Sequence, residues 1–221
     1  MTIETVAPAA TTLTIDLWTD LGCPWCYVGK RRLEQAIDAS GVDARIELHS
    51  FELHPESPGS LIETIPEIFV RMHGSSLENA RTKEAQITAL ANAEGLPFTT
   101  DRPAVNTFDV HRLLQLAKAQ GVGTAYFTKV QTEYFAGRLN PYSHDALLAV
   151  AASTGLPEDR AREVLAGETF ADAVLEDRHR GEALGVTGVP FALYGGRFAT
   201  SGAQSVEGFT QAITAAIGDA S

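Results

Sequence analysis

The sequence predicts an α/β fold whose one sheet is completed from both ends of the chain around a large all-helical insertion. A strand–helix–strand pattern opens the chain, helical character fills the middle from about Leu61 to Gly185, and two short strands and a helix close it. Neither strand-bearing piece makes a stable sheet alone, because two strands are marginal in water. The expected division is therefore one α/β domain over residues 12–56 and 170–218, with an inserted helical domain over 57–169 between its βαβ and ββα halves.

Residues 13–19, Leu-Thr-Ile-Asp-Leu-Trp-Thr, alternate apolar and polar as a strand does. Gly22 follows in a short loop, and Pro24 stands where a helix can begin without losing a needed N–H. That helix runs to about Ser40 with Leu33, Ala36 and Ile37 on one side, and Gly41 stops it. Residues 44–53 alternate again as a second strand.

In the middle, Met72-His73-Gly74 ends one helix, and Ser75 or Ser76 caps the next, which reaches Gly95. An irregular connection with two prolines leads to Asn106 or Thr107. Either caps a helix carrying the apolar stripe Val110, Leu113, Leu114, Leu116 and Ala117. Gly121 and Gly123 break it, and helices follow near 124–136, 144–153, 158–166 and 170–184, with Ser143 and Pro157 as start signals. Val189–Tyr194 is a short apolar strand, Gly195-Gly196 a two-residue hairpin turn, and Arg197–Thr200 pairs back. Ser205 caps a last helix through Phe209, Ile213 and Ile217.

Hydrophobic residues make up 44% and charged residues 20% of the 221, which is enough apolar material for a real core. A net charge of −11 argues against nucleic acid and anionic membranes as partners. The only three-residue basic run, Lys30-Arg31-Arg32, reads as a solvated helix face. No stretch is apolar enough to span a bilayer, and Met1–Thr12 lacks the basic start and apolar core of a secretory signal, so a cytoplasmic location is expected.

The only two cysteines, Cys23 and Cys26, stand three positions apart at the start of the first helix. So short a loop makes a poor structural staple, since closing it removes little entropy and forces strain. A structural zinc site normally needs four ligands, and neither a second Cys pair nor closely spaced histidines are present. The pair therefore reads as redox-active, with a reversible Cys23–Cys26 disulfide, rather than as a zinc site or an inert bridge. Disulfide exchange needs a thiolate, and a helix N-terminus favours one at Cys23 through its unpaired N–H groups and macrodipole. Cys26, about one turn further in, is expected to attack the mixed disulfide and release the substrate. Pro24 and Trp25 tune the pair. Trp25 adds no positive charge, so Cys23 is expected to be less acidic, and the site less oxidising, than with a histidine there. Asp20, three residues before Cys23, could take the proton from Cys26 or cap the helix; helix-start preferences favour a cap or a plain loop.

The motif Cys23-Pro24-Trp25-Cys26-Tyr27-Val28-Gly29, the turn Thr187-Gly188-Val189-Pro190-Phe191 and the closing Ser201-Gly202-Ala203-Gln204 together resemble the FrnE-like branch of the DsbA family. These are dithiol–disulfide oxidoreductases with a thioredoxin fold and a helical insertion. The resemblance runs from about Thr14 to Ile217. It implies that Pro190 is cis and packs beside Cys23, making a third catalytic position. It also implies that the backbone of Val189 aligns an extended substrate. Val-Pro by itself also reads as an ordinary strand-initiating turn.

The expected activity is thiol–disulfide oxidoreduction through a mixed disulfide, on protein thiols and disulfides or on small thiols. No bound cofactor or metal is expected, and glutathione is a possible co-substrate. One alternative is a glutathione-dependent isomerase or transferase of the kappa-class or hydroxychromene-carboxylate isomerase type. Those enzymes typically carry Ser in place of Cys23 and lack the second thiol. The other alternative, not an enzyme, is a chaperone-like binding module. His49 and His54 flank the end of the second strand, and either could line a cleft, though a partly exposed strand histidine is the default reading. His73, His111, His144 and His179 read as structural or surface residues, Trp18 as core, and Phe108, Phe127, Tyr134 and Phe135 as core of the insertion.

Overall fold

A computed structural model describes residues 12–56, 64–100, 102–103 and 106–218, with the side chains of 72 and 73 excepted. The expected start of the helical block, 61–63, and most of the N-terminal segment lie outside the described residues.

Strands β1 (Leu13–Thr19) and β2 (Ala44–Ser50) run parallel, joined through helix α1 (Pro24–Ser40). The C-terminal strands β3 (Phe191–Tyr194) and β4 (Phe198–Ser201) add antiparallel on the other side of β1, giving the order β2-β1-β3-β4. β1 is thus central, which is why Leu13, Ile15 and Leu17 on one face and Trp18 on the other are all buried. Ile15 and Leu17 belong to one apolar cluster with Leu33 of α1 and with Phe209 and Ile213 of the last helix, α9 (Val206–Gly218). Trp18 joins Phe51 and Val186 in a second cluster on the opposite face.

Between β2 and β3 lie α2 (Ile65–His73), α3 (Leu77–Ala93), α4 (Phe108–Ala119), α5 (Gly123–Phe135), α6 (His144–Ser153), α7 (Glu158–Ala166) and α8 (Ala171–Ala183). Several helices start on the side chains the sequence offers. Ser76, Ser143 and Ser205 accept from the N–H groups of Asn79, Ala146 and Gly208 at 3.1–3.2 Å. Glu67 accepts from the Thr64 N–H at 2.8 Å at the head of α2. Each such cap is worth about 1 kcal/mol. Gly41 ends α1 at φ 65°, a conformation that costs an L-residue energy. The expected insertion core is present: Phe127, Tyr134 and Phe135 are fully buried, whereas Phe108 is half-buried.

Three expectations shift. β2 stops at Ser50 rather than 53, because the Phe51 N–H turns to the Thr19 carbonyl and the Leu53 N–H to the Asp20 carboxylate. Both hairpin glycines have positive φ, but pairing resumes at Tyr194 opposite Phe198. The loop therefore takes in Arg197, and β4 begins one residue later than expected. Lys30-Arg31-Arg32 is a solvated face only at Arg31, which is exposed. Lys30 is buried, held by Glu34 at 2.5 Å and Thr128 at 2.7 Å, and Arg32 pairs with Glu94 at 2.6 Å, so α1 is fixed to the helical block through these cations.

Candidate active site

β1 delivers the loop Asp20-Leu21-Gly22 to the head of α1, where Cys23 is the N-cap residue with extended backbone (φ −89°, ψ 109°). The Cys26 N–H closes the first turn on the Cys23 carbonyl at 3.0 Å, bringing the two sulfurs to the same helix end. Both are free thiols, 4% and 0% exposed respectively, so Cys23 alone keeps any contact with solvent. Burial pushes the Cys26 thiol well above the ordinary thiol range, and the neighbouring Cys23 pushes the same way. Cys26 therefore keeps its proton at neutral pH until something draws it off.

The Cys23 Sγ donates to the Val189 carbonyl at 3.4 Å. The next bond, Val189–Pro190, is cis, and Pro190 is buried. Pro190 is held from behind by the Gly202 N–H on its carbonyl at 2.8 Å. Gly29 is where α1 lets this turn approach: a Cβ there would stand 3.0 Å from Pro190 Cγ and 3.2 Å from Ala203 Cβ. The three motifs read from the sequence thus meet at one place, with a glycine in the helix giving them room.

Asp20 does not cap α1, whose N-cap makes no side-chain bond. Its carboxylate turns inward, accepting from the Leu53 N–H at 2.9 Å and lying 3.2 Å from His111 Nε2 on α4. Burial pushes Asp20 up, but the hydrogen bond and charge of His111, with further bonds from Leu53 and Thr107, outweigh it and hold the carboxyl below its usual range. His111 Nδ1 and Glu52 Oε1 are buried without a hydrogen-bond partner among the described residues. Burial pushes Glu52 up. His111 is thus a buried, structural residue and not a surface one. It links the inserted block to the loop before Cys23 across 91 residues, and its one sequence signal is a polar residue inside the apolar stripe of α4.

His49 is not a partly exposed strand histidine. It is buried between Asp16 at 2.7 Å and Asp177 of α8 at 2.8 Å, stacked on Trp18, and it does not reach the cleft. His54 does. The cleft, about 440 Å³, opens beside Cys23 between Trp25 and Leu53 on the sheet side and α2 and α3 on the other. Trp25 is 46% exposed at its mouth. Among the described residues no group of three or more His, Cys, Asp or Glu could hold a metal ion, and no helix is long and apolar enough to cross a membrane.

Comparison with known proteins agrees with this geometry. The model of the DSBA-like thioredoxin domain matches residues 14–214. The crystal structure of a probable DsbA oxidoreductase from Streptomyces coelicolor superposes with a TM-score of 0.88 at 37% identity, covering 94% of this chain and 91% of that one. An uncharacterized protein of Bacillus subtilis (strain 168), YwbO, is 27% identical over 83% of this chain and 88% of its own. A 2-hydroxychromene-2-carboxylate isomerase shares the fold, with a TM-score of 0.69 at 17% identity over 94% of this chain and 95% of its own.

Proposed function

Because the chain belongs to the DSBA-like thioredoxin domain family, and is by that membership a thiol–disulfide oxidoreductase, we propose that it exchanges dithiol for disulfide through Cys23 and Cys26 by way of a mixed disulfide. The observation that carries this reading is the asymmetry of the thiols: one at the mouth of a cleft and the helix N-cap, the other fully buried one turn in. The Cys23 thiolate attacks a substrate disulfide and one half leaves as thiolate. Cys26 then loses its proton and bonds the Cys23 sulfur, and the second half leaves, so two electrons pass to the substrate. We assign Asp20, with Pro24 and Trp25, to tune the pair, and Val189 and Pro190 to hold the substrate sulfur against Cys23. In the opposite direction the same bonds form and break in reverse, and glutathione can serve as reductant.

The likeness to an isomerase fold keeps a glutathione-dependent isomerisation as the second reading. Single Cys→Ser variants separate the two. Disulfide reduction should vanish in Cys23→Ser, and Cys26→Ser should accumulate a mixed disulfide. An isomerase would tolerate losing Cys26, and a binding module would retain its function without either thiol.

A further inference from the structure

We propose that the cleft beside Cys23 is built for a small disulfide whose body is apolar and carries a carboxylate or similar anion; this rests on the oxidoreductase reading above. At about 440 Å³ the cleft falls within the range of small-molecule sites. Much of its wall is apolar: Trp25 and Leu53 face Ile65, Ile68 and Phe69 of α2 and Ile87 of α3. Such walls gain most by covering apolar surface, and they offer little to a thiol with a polar body.

The charges around the cleft select the sign of the remaining group. Two carboxylates reach it, and both are engaged from below. Asp20 lies against His111, and Glu84 is held by both terminal nitrogens of buried Arg102, at 2.8 and 3.1 Å. Lys83 is different. It lines the cleft, is exposed, and rests over the Phe69 ring at 4.8 Å, and among the described residues no carboxylate pairs with it. His54 stands on the same cleft, with Glu56 at 3.7 Å. In a chain of net charge −11, Lys83, unpaired among the described residues, therefore marks where an anion is accepted. The Cys23 thiolate bonds the near sulfur and the far half leaves as thiolate. Cys26 gives up its proton, bonds Cys23 and releases the bound half. The cysteine pair is oxidised and the ligand reduced by the same two electrons.

The test is single-turnover oxidation of the reduced protein by four disulfides, each rate divided by that of dithiothreitol with the same compound. The probes are 5,5′-dithiobis(2-nitrobenzoate), aromatic and anionic; 4,4′-dithiodipyridine, aromatic and neutral; oxidised glutathione, anionic with a polar body; and cystamine, polar and cationic. The anionic aromatic probe should rank first and cystamine last. In Lys83→Glu the ratio of rates on the anionic over the neutral aromatic probe should fall about two- to tenfold, the size of an exposed ion pair replaced by repulsion. Lys83→Gln should give a smaller fall in the same ratio. Equal normalised rates on all four, or a ratio unmoved by both substitutions, overturns the substrate assignment while leaving the oxidoreductase reading in place. A wild type oxidised by none of the four overturns both.

Discussion

Replacing Gly181 with alanine sets two effects of opposite sign against each other. Gly181 lies in the last turns of α8, and in a helix interior alanine gains about 0.8–1 kcal/mol over glycine. The structure opposes that gain. A Cβ at this position would stand 2.8 Å from Trp18 Nε1 and 2.9 Å from Trp18 Cδ1, closer than real Cβ contacts allow. Trp18 has no exposed surface into which to move, so the indole or the helix must shift, at about 1–3 kcal/mol for overpacking. The same indole donates to the Asp177 carbonyl at 2.9 Å, and a buried N–H left without its acceptor costs about 1–3 kcal/mol more. The net expectation is a loss of roughly 1–5 kcal/mol. It should appear as a lower urea midpoint with an unchanged slope, followed by tryptophan fluorescence. Val189 and Phe191 pack in the Trp18 cluster, so exchange activity should fall as well. An alanine variant as stable as the wild type, or about 1 kcal/mol more so, would mean that helix propensity governs this position and that the contact with Trp18 is slack.

Brief iodoacetamide treatment of the reduced protein, followed by peptide mapping, should label Cys23 before Cys26, which is fully buried and has its thiol pushed above the ordinary range; faster labelling of Cys26 would exchange their roles. The Asp16–His49–Asp177 network should give stability a pH window. Burial pushes His49 down, but its bonds to both carboxylates raise it overall, so its contribution is complete below pH 6.5 and is lost as pH rises through the raised value. The His49 hydrogen bond lowers Asp16. Burial pushes Asp177 up, yet His49 and Lys118 hold it below the usual carboxylate range. The contribution of both is therefore present above about pH 3.8 and is lost as pH falls through the depressed values. Urea midpoints from pH 3 to 9 should fall at both ends, and His49→Gln should flatten the alkaline fall; an unflattened alkaline limb would assign it elsewhere.

Local signals made much of the framework legible. Period-two alternation placed β1 to the residue, Pro24 and Gly41 bounded α1, and serine caps marked α3, α6 and α9, because each depends on groups a few positions apart. The end of β2 was not legible, because it depends on Asp20 drawing in the Leu53 N–H from 33 residues away. Nor were the roles of the histidines. A short polar residue beside a strand or in a helix gives the same local pattern whether it meets water or a distant carboxylate. His49 and His111 are decided by Asp177 and Asp20, 128 and 91 residues away. The Cys-Pro-Trp-Cys motif reads as redox chemistry from the sequence, since its short loop argues against a staple and the lack of further ligands against a metal site. The cleft beside it was not legible, because its far wall belongs to α2 and α3, whose own periodicity records helices and not what they face.

On the proposed reading Cys23 and Cys26 form a reversible disulfide that carries electrons to and from a substrate. Trp25 sits between them in the sequence and is 46% exposed, so its fluorescence should report the redox state. Titration of the whole protein against reduced and oxidised glutathione, with the disulfide identified by peptide mass, tests the claim directly. A single two-electron transition is predicted, with a Cys23–Cys26 disulfide at its oxidised end and a midpoint within about −270 to −120 mV. A protein in which no such disulfide forms at any glutathione ratio would contradict the account.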